Sequence, residues 1–289
     1  MSQAQIDRRH KAAPVGDDRR RRAIRPAQRR IGSARTLFGV IGRAAMVHAS
    51  EVALMASLAA RLPLRLIDAR LDPTPDPLLS AEPQPAPPTR PVLLIHGFCG
   101  TKSSWSLLAR SLNARGLTFE AITYTPFGTS VDQLADRLIA EVGRILVRTG
   151  ADKVHMVGHS LGGVVIAQAI ADGRLTGLVD TVVTLGSPFG GSPWANLLPI
   201  GEIARALREG SPLLRQLASA PAPDGVRWLA FTATLDIVVP GPRSVPAHAQ
   251  AETITVGGVG HLGMLLSRQV INHIVAALPA CGTVDAVPA

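Results

Sequence analysis

Five residues, Gly158-His159-Ser160-Leu161-Gly162, spell G-x-S-x-G. An apolar run, Lys153-Val154-His155-Met156-Val157, precedes them, and a helical pattern, Val164-Val165-Ile166-Ala167-Gln168-Ala169-Ile170, follows. A serine on a tight turn between strand and helix holds its Oγ above the sheet edge as a nucleophile. Glycines flank it because a Cβ at either position would meet neighbouring backbone. The competing reading is a Gly-rich turn with no chemistry. A serine hydroxyl needs a base beside it, normally a histidine kept in one tautomer by a carboxylate.

On an α/β sheet those partners follow in the order Ser, Asp or Glu, His. Three histidines lie downstream: His248, His261 and His273. His261 stands in Gly257-Gly258-Val259-Gly260-His261-Leu262-Gly263, a loop after the last expected strand that can carry an imidazole over the sheet edge. His248 precedes that strand and His273 falls inside the last helix. The acid belongs at the carboxyl end of the preceding strand. Asp236 directly follows the apolar run Trp228–Leu235 and is succeeded by Ile237-Val238-Val239-Pro240. A charge in such surroundings needs a partner. Asp224 and Glu252 are less well placed, and turn capping is the alternative role for Asp236. Two backbone N–H groups should meet the developing oxyanion. They are those of Leu161, directly after the nucleophile, and of Phe98, in the loop His96-Gly97-Phe98-Cys99-Gly100-Thr101.

The elements that must hold these residues alternate. Val92–His96 reads as a strand buried on both faces. Residues 103–115 read as a helix with Trp105, Leu108 and Leu112 inward, and Phe119–Tyr124 as a strand. Residues 130–148 form an amphipathic helix whose face is Val131, Leu134, Leu138, Val142, Ile145 and Leu146. Then come the strand 153–158, a helix to about Asp172, the strand Val179–Leu185, a helical insertion over 192–225, strands near 227–233 and 252–256, and a helix over 263–277. This alternation predicts an α/β fold, a mostly parallel sheet flanked by helices, with ligands at the carboxyl ends of its strands.

The net charge of +9 suggests nucleic acid until it is located. Residues 1–35 carry 11 Lys or Arg against 3 Asp, and the remainder 19 against 18, so the basicity belongs to a tail. That tail, with Arg19-Arg20-Arg21-Arg22, is expected to be disordered. It reads as a solvated segment, or as sequence ahead of a start at Met46, and nucleic-acid binding is disfavoured. Residues 36–71 read as amphipathic helix. Between Leu37 and Ile67, Arg43, His48, Glu51, Arg61 and Arg65 interrupt the apolar residues. They rule out both a continuous signal-peptide core and a confident membrane span. Packing on the body is slightly favoured over peripheral membrane contact through residues 1–70, and a cytoplasmic or membrane-associated location over secretion. Prolines over 72–90 mark an extended linker. The catalytic domain should cover 91–280, with a tail over 281–289. Cys99 and Cys281 are too few for a disulfide framework.

With these residues in place, the chain resembles the α/β-hydrolase family over 91–279, and within it the small bacterial lipases and esterases. Four ordered pieces carry the resemblance: Ile95-His96-Gly97-Phe98; Gly158–Gly163; Leu185-Gly186-Ser187-Pro188-Phe189-Gly190-Gly191-Ser192; and Asp236 with Val239-Pro240 and Gly260-His261. The third has one glycine more than the family's G-[ST]-P-x-x-G-[ST] stretch. The resemblance implies that Ser160, His261 and Asp236 cleave a small-molecule or lipid ester through an acyl-serine, with no cofactor and no metal. It makes 192–225 a lid or cap. Leu197, Leu198, Ile200, Ile203, Leu207, Leu213, Leu214 and Leu217 of that insertion suit either a lipid-facing lid or ordinary packing. Phe98, Phe127, Phe189 and Trp194 are candidate pocket residues. Acyl transfer or thioester cleavage on the same three residues is the alternative. A non-catalytic ligand-binding module with a basic tail for DNA or an anionic surface is a third reading.

Overall fold

The computed structural model describes residues 42, 44–53, 56, 90–98, 100–197, 201–248 and 250–279. The expectations for residues 1–35 and 281–289, for the linker short of Arg90, and for Cys99, Cys281, Leu198 and Ile200 lie outside the described residues. Within 36–71, residues 44–53 are helical (α1).

All four residues of β1 (Val92–Ile95) are buried. Their side chains alternate, so Leu93 and Ile95 join one apolar cluster and Val92 and Leu94 the other. A 3-10 turn (Lys102–Trp105) leads into α2 (Ser106–Asn113), then β2 (Phe119–Ile122). α3 (Val131–Thr149) begins with a reciprocal cap. Ser130 Oγ accepts from Gln133 N–H, and Gln133 Oε1 accepts from Ser130 N–H. It ends at Gly150 in the left-handed region (φ 69°). β3 (Val154–His159) and α4 (Leu161–Ala171) follow, then β4 (Val179–Leu185).

The insertion is three short helices, α5 (Trp194–Leu197), α6 (Gly201–Ala206) and α7 (Pro212–Ser219). β5 (Arg227–Ala233) and β6 (Ala251–Val256) complete the sheet. The last expected helix is two, α8 (Gly263–Leu266) and α9 (Arg268–Ala277). The break falls at Ser267, which is extended and whose Oγ accepts from Val270 N–H.

Val131, Leu134, Leu138, Val142 and Ile145 of α3 pack with α4 on one side of the sheet. Leu108 and Leu112 of α2 pack with Val270 and Ile274 of α9 on the other. Each such fully buried aliphatic side chain contributes about 1.5–3 kcal/mol. The six strands run in the order β2-β1-β3-β4-β5-β6, every neighbouring pair parallel. The chain steps outward from β1 to β2, then reverses to β3 on the other flank. Connections leave in opposite directions there, which opens a crevice at the strand ends. Ile95 pairs with Gly158, so the loops after β1 and β3 emerge level at that point.

Candidate active site

Ser160 joins β3 to α4 with φ 53° and ψ −121°. Among the described residues it is the one non-glycine with positive φ. That strain persists because the flanks are pinned. Ser160 N–H donates to Leu185 O at 2.9 Å, and a Cβ on Gly162 would fall onto the carbonyl oxygen of Ile95. Such a backbone outlier is a pointer to function. The loop after β1 closes against the same residue, since a Cβ at Gly97 would stand 2.9 Å from Ser160 Cβ. Phe98 follows Gly97. Leu161 is the first residue of α4, so its N–H has no acceptor within the helix.

The loop is braced by Tyr124, two residues beyond β2. His96 Nδ1–H donates to Gly97 O at 2.9 Å. Its Nε2 therefore accepts, from Tyr124 N–H at 3.4 Å. The Tyr124 ring stacks on His96 at 4.2 Å, and its hydroxyl donates to His96 O. The sequence reading gave neither residue this role.

Asp236 and His261 meet at 2.7 Å through Oδ2 and Nδ1, both side chains buried. Asp236 Oδ1 accepts from Val238 N–H at 2.8 Å and Val239 N–H at 2.7 Å. The turn-capping role and the histidine-pairing role are thus filled by one carboxylate, one oxygen each. With Nδ1–H given to Asp236, His261 Nε2 keeps its lone pair. Gly186 (φ 55°) makes room for the pair, because a Cβ there would lie 2.9 Å from Asp236 Oδ2 and 3.1 Å from His261 Nδ1.

His159 ties this pair to the serine turn. Its Nε2–H donates to His261 O at 3.1 Å, and the two rings lie 4.7 Å apart. Burial, and then the closeness of the His261 ring, push its pKa from 6.5 down to about 3, so the ring stays neutral. The unspecified residue in G-x-S-x-G offered no signal for this contact. Among the described residues, Ser160 Oγ makes no hydrogen bond to His261. Such bonds are often long until substrate is bound.

The remaining candidates have the following surroundings. His273 Nδ1–H donates to Gln269 O within α9, and Glu252 faces Arg227 at 3.4 Å. Phe127 packs edge-on to Phe98 at 5.5 Å and lines an open depression with Gln133 and Arg137. Phe189 packs on Trp228 at 6.2 Å. Both line a cavity of about 440 Å³ with Ile170, Leu217, Asp224 and His248, whose walls include none of Ser160, Asp236 or His261. Trp194 Nε1–H donates to Ile237 O at 2.9 Å, and Ser192 Oγ–H to Val238 O at 2.6 Å, so the insertion is moored to the segment after Asp236. Ile203, Leu207 and Leu214 are buried in the core cluster around α3 and α4, which is the packing reading of that apolar stripe. Among the described residues no three His, Cys, Asp or Glu side chains are grouped to hold a metal ion.

A family model described as "Alpha/beta hydrolase family" matches residues 92–273. A triacylglycerol lipase of Pseudarthrobacter phenanthrenivorans is 30% identical over 116 residues, 37% of this chain and 36% of that protein. A triacylglycerol lipase of Burkholderia plantarii is also 30% identical over 116 residues, 37% of this chain and 32% of that protein. The chain therefore spans about a third of the length of these curated relatives. The crystal structure of the mature Bacillus licheniformis lipase BlEst2 superposes with a TM-score of 0.61 at 17% identity, covering 69% of this chain and 96% of that one.

Proposed function

We propose that this chain, which belongs to the alpha/beta hydrolase family, hydrolyses carboxylic esters with Ser160 as nucleophile, His261 as general base and acid, and Asp236 as the group that orients the imidazole. The observation that carries this reading is the 2.7 Å contact between Asp236 and His261. It leaves the basic nitrogen of His261 free on a ring whose backbone carbonyl is held by the neighbour of Ser160.

Ser160 Oγ attacks the ester carbonyl carbon as its proton passes to His261 Nε2. The carbonyl oxygen takes up negative charge, and the amides of Phe98 and Leu161 donate to it. Removing one such donor typically costs about 2.7–4 kcal/mol of transition-state stabilisation. As the C–O bond breaks, His261 gives its proton to the departing alcohol and an acyl-serine remains. His261 then takes a proton from water, whose oxygen attacks the acyl carbon; the bond from that carbon to Ser160 Oγ breaks, His261 returns the proton to Oγ, and the acid leaves. Asp236 stabilises the imidazolium in both halves of the reaction. The relatives named as triacylglycerol lipases support an ester, small or lipid-like, as the substrate class.

The test is turnover of a p-nitrophenyl ester panel of increasing acyl length, with covalent labelling by a fluorophosphonate. Ser160→Ala should abolish both. Ester hydrolysis persisting undiminished in that variant would remove Ser160 from the chemistry.

A further inference from the structure

Among the described residues two carboxylates are buried, Asp236 and Glu51, the latter 4% exposed. Asp236 holds the side chain of His261. Glu51 holds the backbone directly after it. Its Oε2 accepts from Leu262 N–H at 2.9 Å and its Oε1 from Gly263 N–H at 2.8 Å, across more than two hundred residues of sequence. Among the described residues no Lys or Arg pairs with it. A carboxylate out of water needs strong donors, and here they are two successive peptide groups. The fit is tight. A Cβ on residue 260 would stand 2.6 Å from Glu51 Cδ, so Gly260, directly before His261, is the residue that admits the carboxylate.

The backbone around His261 is thus fixed from both sides: its carbonyl by His159, the next two amides by Glu51. The imidazole hangs between these anchors, and its Nδ1 is spoken for by Asp236. Rotation of the 261–263 peptides would displace the imidazole that Asp236 holds. Glu51 stands on α1, outside the 92–273 segment matched by the family model.

We propose that Glu51 is a positioning residue for His261, and that α1 is a working part of the active site. This rests on the reading of His261 as the base. Glu51→Gln keeps the volume but offers one acceptor where two N–H groups point, and its amide would face one of them. Positioning errors of about 1 Å can cost roughly 100-fold in rate. In the full-length chain, Glu51→Gln should therefore lower kcat for a short p-nitrophenyl ester by about 10- to 100-fold while KM stays within about twofold. Fluorophosphonate labelling should slow in parallel. Val52→Ser, at an exposed neighbour on the same helix, should match the unaltered protein.

Amide hydrogen exchange gives a readout independent of activity, and it does not require a variant to fold. In the unaltered protein the Leu262 and Gly263 amides should be protected, and in Glu51→Gln they should exchange faster. Free exchange of both amides in the unaltered protein overturns the proposal. So does a folded Glu51→Gln with kcat within about twofold of normal, or one whose loss only tracks its unfolded fraction. If protection is lost as expected but Ser160→Ala leaves hydrolysis intact, the anchor stands and the catalytic reading falls.

Discussion

The rings of His159 and His261 lie 4.7 Å apart, and the first donates its Nε2–H to the backbone carbonyl of the second. The residue before Ser160 thus supports the backbone of His261, and it does so as a neutral imidazole. Its pKa is pushed from 6.5 to about 3 by burial, and that of His155 on β3 to about 4 for the same leading reason.

A pH dependence of stability follows. Between about pH 6.5 and the folded values, the unfolded chain binds protons that the folded chain refuses. Stability from these groups is therefore complete above about pH 6.5 and falls as the pH drops, by up to about 1.4 kcal/mol per pH unit for each histidine. Thermal melts from pH 7.5 to 4 should show the decline, and His159→Gln should make it shallower. A melting temperature level across that range would mean that the rings are not buried as described.

Asp236→Asn retains an acceptor for the amides of Val238 and Val239 but turns an NH2 group toward His261 Nδ1. The imidazole must then present N–H, not a lone pair, toward Ser160. By analogy with other triads kcat should fall on the order of 10⁴-fold. Steady-state kinetics beside a melting curve would check this, with the fold expected to survive. A loss below tenfold would show that His261 does not depend on Asp236 for its tautomer.

Gly186→Ala puts a methyl group 2.6 Å from Met264 Cε and 2.9 Å from Asp236 Oδ2. The left-handed backbone there costs an alanine about 1–2 kcal/mol. Displacement of the Asp236–His261 pair should add a kinetic penalty beyond that. Labelling by a fluorophosphonate in the folded fraction should be slowed at least about tenfold, since small misplacements are expensive. Labelling at the normal rate would mean the pair tolerates the shift.

Trp194→Phe deletes the bond to Ile237 O and should loosen the insertion by about 0.5–1.5 kcal/mol. Limited proteolysis should cut within 201–219 several times faster, while labelling of Ser160 by a small phosphonate is unchanged. Unaltered cleavage would show that the mooring lies elsewhere.

Much of this architecture is legible in short stretches of chain. The strand-turn-helix around Ser160 is written in adjacent residues: an apolar run, two glycines at the crowded positions, then apolar spacing that suits a helix. Asp236 stands out because it directly follows an apolar run, and His261 because it lies in a glycine-rich loop between the last strand and the last helix. The helix expected over 263–277 divides because Ser267 stabilises a break through its own hydroxyl, a short-range competition that apolar periodicity does not report. The surroundings of Phe189 are not legible in this way. Phe189 stands four residues beyond β4, beside a recognisable motif, yet it lines a cavity with Trp228 and His248 whose walls lack Ser160, Asp236 and His261. An aromatic residue packs against whichever apolar surface reaches it, and sequence spacing does not name that surface.

The order of the residues along the chain determined by itself that a parallel α/β sheet would form and which loops would carry a serine, a carboxylate and an imidazole. Periodicity and backbone sterics act over a few residues and leave their mark in the local pattern. Only the tertiary structure decided that β1 and β3 would be neighbours and that Gly186 would clear space for Asp236. Only it brought Glu51 beneath the loop of His261. Those outcomes depend on burial and hydrogen bonding between segments far apart in the chain, where many pairings are compatible with the same local pattern and the packed core selects one.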